Sequence, residues 1–260
     1  MATAMLQAHS LLWYYLWVAP NLLLLVLAVL IWRRKVYQQF PVFLAYAIVV
    51  PVEQLTLWVA DVLPSVSPTT WWYLFWGGLL TEAVVKFALI GEIFGAVAGS
   101  YPLLAKLGKS LIPGVGVLLV LLATVTAAYT PKDNTHLIVS GAHLLEQATY
   151  LIECGLILFL FLFATYFKLH WSRFAFGIAL GLGISACVYL ATWALMANGN
   201  LSPKYRVFLD LLNLATHHVC VLIWFYYLLV PPRDVSRPSP PPPEHNLEVW
   251  NQELERLLHQ

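Results

Sequence analysis

Residues 11–32 read LLWYYLWVAPNLLLLVLAVLIW, and Arg33, Arg34 and Lys35 follow at once. A helix needs about 20 apolar residues to cross a hydrocarbon layer roughly 30 Å thick. This run has that length and stops at three cations, which gather on the cytoplasmic side of membrane spans. It is too long for the apolar region of a signal peptide, and Met1 to Ser10 contain no lysine or arginine ahead of it. We read it as an uncleaved first membrane span.

The same pattern repeats down the chain. Further apolar runs fall at about 41–63, 71–96, 111–129, 137–166, 174–197 and 206–230. Composition agrees, with 60% hydrophobic and only 10% charged residues and a mean hydropathy of +0.75. A soluble domain carries about 25% charged residues. Sixteen prolines and eleven tryptophans also suit a membrane bundle, which tolerates proline in its spans and collects tryptophan at its interfaces. The expected fold is therefore an all-α, polytopic bundle of seven transmembrane helices in contact with the lipid bilayer. Residues 1–10 form a short external N-terminus and 11–230 the membrane domain.

Orientation follows from the basic residues. Arg33, Arg34, Lys35, Lys106, Lys109, Lys168, Arg173, Arg233 and Arg237 fall on one side, and Lys132, Lys204 and Arg206 on the other. The richer side is cytoplasmic by the positive-inside rule. Seven spans then place the N-terminus outside and the C-terminus inside. A net charge of +1 without a basic patch argues against a nucleic-acid partner. Cys154, Cys187 and Cys220 lie in apolar runs without metal or redox spacing and read as small buried hydrophobes.

After Pro232 the character changes. Residues 231–245 form a proline-rich cytoplasmic linker of extended polyproline II type. Residues 246–260 form a short amphipathic helix with Leu247, Trp250, Leu254, Leu257 and Leu258 on one face. This tail is the expected docking element for a protein partner, the membrane surface or the bundle itself.

Charge inside a membrane costs a few kcal/mol per group at a helix centre, so each such residue is a functional candidate. The candidates are Glu53, Glu82, Lys86, His143, Glu146, Tyr150, Glu153, Asp210, Asn213 and His217. At about 100° per residue, His143, Glu146, Tyr150 and Glu153 share an arc of about 80° on span five. Asp210, Asn213 and His217 share about 60° on span seven. At about 1.5 Å rise per residue, Glu53, Glu82, Glu146 and His217 lie roughly 14–16 Å from the outer face. Lys86, Glu153 and Cys220 lie at roughly 21–24 Å. The pattern describes a polar cavity opening outward, with acids at its floor. Five acids against one lysine require protons, hydrogen bonds, water or a bound cation. The plain alternative is that polar groups only tie helices together, at about 0.6 kcal/mol each. His218 points to another face and reads as structural.

Pro20 and Pro51 each remove a helical hydrogen bond and kink spans one and two. Gly177 and Gly181 make a GxxxG step in span six, which lets another helix of the bundle approach closely.

Specific chemistries fit poorly. A retinal protein of the microbial rhodopsin type needs a lysine in the last span, and span seven has none. Seven-span zinc hydrolases of the alkaline-ceramidase and adiponectin-receptor type carry HxxxH there, whereas His217 and His218 are adjacent. A di-iron centre needs its Glu and His ligands repeated, and His143-x-x-Glu146 occurs once. His143 and His217 differ in depth by roughly 7 Å, against a shared haem. No internal repeat of the kind that builds transporters is visible. No cofactor is assigned.

Three stretches carry a resemblance: RRKVYQQFPVFLAY at 33–46, FGIALGLG at 176–183 and VLIWFYYL at 221–228. They resemble an uncharacterised bacterial family of seven-helix inner-membrane proteins. The resemblance implies that compartment and no activity. The expected function is receptor-like, with a small or cationic ligand in the cavity and a partner to relay its binding. A non-catalytic subunit of a larger membrane complex is the alternative. A metal-dependent membrane enzyme or proton-coupled carrier is the third.

Overall fold

Arg33, Arg34 and Lys35 end the first helix as well as the first apolar run. Helix α1 spans Leu11–Arg33. Ser10 caps it, its hydroxyl accepting the Trp13 amide at 3.3 Å. Lys35 then takes a left-handed conformation, φ 58°, and the chain reverses through a 3₁₀ turn, Val36–Gln38. Helix α2, Pro41–Val62, opens on proline in its first turn, where no N–H is needed. Helices α3 (Pro68–Ala98), α4 (Thr135–Tyr166), α5 (Arg173–Ala197) and α6 (Pro203–Leu229) follow. The computed structural model describes residues 10–98, 114, 135–166, 171–197, 202–230 and 256, and among them no strand occurs.

Five helices, α1, α2 and α4 to α6, are long and apolar enough to cross a membrane. Helix α3 has 31 residues and carries Glu82, Lys86 and Glu92. The chain is thus a multi-pass membrane protein, all-helical over the described residues. Six helices are described where the sequence reading expects seven spans. Six expected spans fall on them, with ends within three residues. The fourth, 111–129, lies outside the described residues apart from Gly114, as do the linker and tail, 231–260, apart from Arg256. The chain divides into two units, Met1–Leu228 and Leu229–Gln260.

Contacts give the helix directions. Val42 meets Glu92 and Glu53 meets Gly78, so α2 and α3 are antiparallel. Lys86 meets Glu153 at 3.4 Å and Phe94 meets Phe163, so α3 and α4 are parallel. Tyr150 stacks on Tyr189 and Phe161 meets Phe176, so α4 and α5 are antiparallel. Thr192 bonds Asn213 and Gly177 faces Tyr227, so α5 and α6 are antiparallel.

The two ends of the bundle are built differently. The buried core runs through Leu24 to Ile31, Phe40 to Val50, Phe87 to Val97, Ile157 to Ala164, Ala175 to Leu182 and Cys220 to Leu228. Apart from Ala83, this cluster lies toward the basic turns at Arg33 and Arg173. Here Phe43 packs edge-on against Trp224 and Phe174, each at 5.5 Å. Gly177 and Gly181 lie under Tyr227 and Trp224, so the GxxxG step packs α5 against α6 within the bundle. The Gly181 carbonyl accepts the Cys220 thiol at 3.1 Å. Helix α2 has no cap of its own at this end. Glu92 reaches across from α3 and accepts the Val42 and Phe43 amides at 2.8 and 3.0 Å. Arg34 donates to the Leu228 carbonyl at 2.7 Å, tying the first turn to the end of α6. Outward faces carry Leu22, Val26, Val29, Val52, Val84, Leu158, Leu162 and Leu222, which suits contact with hydrocarbon.

Candidate functional site

Above this packed half the helices part around a cavity of about 190 Å³. One water takes about 30 Å³, so several waters or a small organic group fit. Glu53, Glu82, Tyr150 and His217 line it, together with Trp17, Asn21, Gln54, Phe75 and Tyr189. Three of the four residues expected at one depth, Glu53, Glu82 and His217, therefore do share one space. The fourth, Glu146, and its neighbour His143 stand on described α4 backbone, and their side chains lie outside what is described.

Lys86 and Glu153 form the layer beneath. The Lys86 ammonium lies 2.9 Å from Glu82 and 3.4 Å from Glu153. Its Nζ also sits 4.9 Å from the centre of the Tyr150 ring, within reach of a cation–π interaction. Glu153 is 0% exposed and Lys86 5%. A buried ion cluster of this kind holds only if its members face one another, because each charge has left water. The i, i+4 spacing of Glu82 and Lys86 on α3 supplies one contact locally, and the parallel run of α4 supplies the other.

Asp210 and Asn213 are not gathered with these. Asn213 accepts a hydrogen bond from the Thr192 hydroxyl at 2.9 Å, joining α6 to α5. Asp210 is half-buried on α6, about 10 Å along the axis from His217. His218 faces away from His217, with its ring 5.9 Å from Tyr15.

Helix α1 supplies residues that the polar-stripe reading passed over. Trp17 donates its indole N–H to Gln54 at 3.2 Å. Asn21 is 2% exposed and donates its amide nitrogen to the Trp17 carbonyl at 2.6 Å. A carbonyl only accepts, so this bond fixes the Asn21 side chain with Oδ1 as the free end. That Oδ1 is buried without a hydrogen-bond partner, and so are Glu53 Oε2 and His217 Nε2. All three belong to residues that line the cavity. An isolated asparagine in an apolar run was the one available signal for Asn21.

Charge around the cavity is unequal. Among the described residues lining or lying beneath it, the carboxylates Glu53, Glu82 and Glu153 face one ammonium, Lys86. Lys86 is engaged by Glu82 and Glu153, whereas Glu53, on α2, keeps Oε2 without a hydrogen-bond partner. Among the described residues no group of three His, Cys, Asp or Glu side chains is placed to hold a metal ion. No protein family, curated protein or solved structure matches the chain, so the geometry carries the functional reading.

Proposed function

We propose that the chain is a seven-span, receptor-like membrane protein whose cavity binds a small protonated amine. The carrying observation is the set of unpartnered acceptors, Asn21 Oδ1, Glu53 Oε2 and His217 Nε2, around one space. A buried acceptor left unmade costs about 1–3 kcal/mol. A protonated amine brings several N–H donors and a positive charge to balance Glu53. His217 accepts at Nε2 when its proton sits on Nδ1. The aromatic residues Trp17 and Phe75 on its wall favour a cation over their faces. The packed half beneath gives the cavity a floor, which favours binding over carriage.

The seven-span count draws on the parallel run of α3 and α4. Two parallel spans in sequence require the chain between them to recross the membrane, and residues 111–129 are an apolar run of the necessary length. The basic turns then face the cytoplasm and the cavity opens outside. The resemblance of residues 33–46, 176–183 and 221–228 adds a bacterial inner membrane. A bound amine would be reported to a partner, for which the proline-rich, amphipathic tail is the docking element.

The test is ligand-observed NMR with ethylammonium on the protein in lipid nanodiscs. Saturable binding is expected, weakened at least tenfold by Glu53→Gln and by Asn21→Leu. Binding that neither substitution alters would overturn the reading. Orientation is checked in intact cells with an impermeant maleimide. Cysteines placed at Ser65 and Lys132 should label from outside, and those at Lys35 and Gly108 only after permeabilisation.

A further inference from the structure

Glu53 borders a second space. A groove of about 480 Å³ runs between α2 and α3, and Glu53 lines both it and the cavity. The groove opens on the apolar outside of the bundle, where Val52 is 53% and Tyr73 75% exposed. Its two threonine hydroxyls are turned inward to their own helices. Thr56 donates to the Val52 carbonyl at 2.6 Å and Thr81 to the Gly77 carbonyl at 2.8 Å. Neither hydroxyl proton is left for a ligand.

Two glycines shape the boundary. A Cβ added at Gly77 meets nothing within 4 Å, so the groove wall is open there. A Cβ added at Gly78 would overlap the Glu53 carboxylate. Glu53 therefore lies in the space that Gly78 leaves and forms the partition between cavity and groove.

We infer that the ligand is a cationic amphiphile, a protonated amine on a single alkyl chain, which enters from the bilayer between α2 and α3. This rests on the amine-binding reading above and names its class of ligand. The ammonium group passes Glu53 and meets Asn21, Glu53 and His217, while the chain stays in the groove. Charge complementarity selects the head group, because Glu53 is an acid at the inner end of an otherwise uncharged groove. The groove, apolar and open to lipid, selects the chain.

Decylammonium and ethylammonium distinguish the possibilities in nanodiscs. Gly77→Leu fills the groove where there is room, and Thr81→Phe fills it from the next turn. Each is expected to weaken decylammonium at least tenfold while ethylammonium binds as in the wild type. On the unaltered protein, a decylamine with a terminal diazirine should photolabel residues 48–57 and 73–81. Ethylammonium binding with no effect of either substitution on decylammonium, or photolabel confined to other segments, overturns lateral entry and leaves the cavity reading standing. Failure of both amines to bind the wild type removes both.

Discussion

Lys86→Met is the sharpest test of the bundle interior. It keeps an unbranched side chain of similar length and deletes the one ammonium that Glu82 and Glu153 share. At an effective dielectric constant of about 20, pairs at 2.9 and 3.4 Å carry roughly 6 and 5 kcal/mol of gross attraction. Desolvation of the three groups offsets much of this. Removing the cation keeps the desolvation of Glu153, which is 0% exposed, and discards the attraction. Breaking a buried pair in this way costs about 3–5 kcal/mol. Glu153→Gln should cost less, since Lys86 keeps Glu82. The double variant Lys86→Met with Glu153→Leu should regain most of the loss, because Glu82 lies on the cavity wall and the buried layer becomes apolar. Reversible unfolding in mixed micelles at graded SDS reads all four proteins. A Lys86→Met loss under about 1 kcal/mol, or a double variant no better than the single, would refute this account of the cluster.

Other perturbations follow from single contacts. Gly181→Ala drives a methyl into the Trp224 indole and should cost about 1–3 kcal/mol as overpacking, whereas the same change at Gly95, which meets nothing within 4 Å, should leave thermal stability in detergent unchanged. Glu92→Ala strips the cap from α2, leaving two amides without acceptors, and should cost about 1–3 kcal/mol, with faster hydrogen exchange confined to the first turn of α2. Asn213→Ala removes the bond to Thr192 and should cost only about 0.6 kcal/mol, the average for an interhelical hydrogen bond in a membrane. Cys154 and Cys187 lie with their sulfurs 3.5 Å apart, so a membrane-permeant oxidant should link α4 to α5 within one chain, seen as a mass loss of two hydrogens; a link only between chains would contradict the α4–α5 pairing.

Much of the bundle was legible because the length of an apolar run is a local property. The ends of α1 and α2 could be read from Arg33 and Pro41 alone. Glu53, Glu82 and His217, which rise per residue places at similar heights, line one cavity. Of the residues placed one layer down, Lys86 and Glu153 meet each other, while Cys220 bonds the Gly181 carbonyl instead. What a stripe cannot reveal is which helix it faces. Asn213 shares the arc of His217, yet its partner is Thr192 on α5, a residue with no sequence relation to it. Asn21 shows the opposite case. It lies on the cavity wall because α1 packs beside α2, which no spacing within the first apolar run encodes. The Glu92 cap was invisible for the same reason, since donors and acceptor come from different helices.

The position of Lys86 along α3 determines what the cavity can hold. On α3, Glu82 stands one turn above Lys86, on the cavity wall, and Glu153 approaches the same ammonium from α4. The only cation of the cluster is thus held at the floor, between two acids. Glu53 on α2 keeps an unpartnered oxygen at the level of the cavity and of the groove beside it. Exchanging Glu82 and Lys86 on α3 would raise the ammonium one turn, about 6 Å, to the height of Glu53. The cavity would then contain its own counter-ion, and an amine would find the acid already neutralised. That exchanged variant keeps the composition and the i, i+4 pair of α3, so loss of amine binding from it would trace to where the charge sits rather than to how much there is.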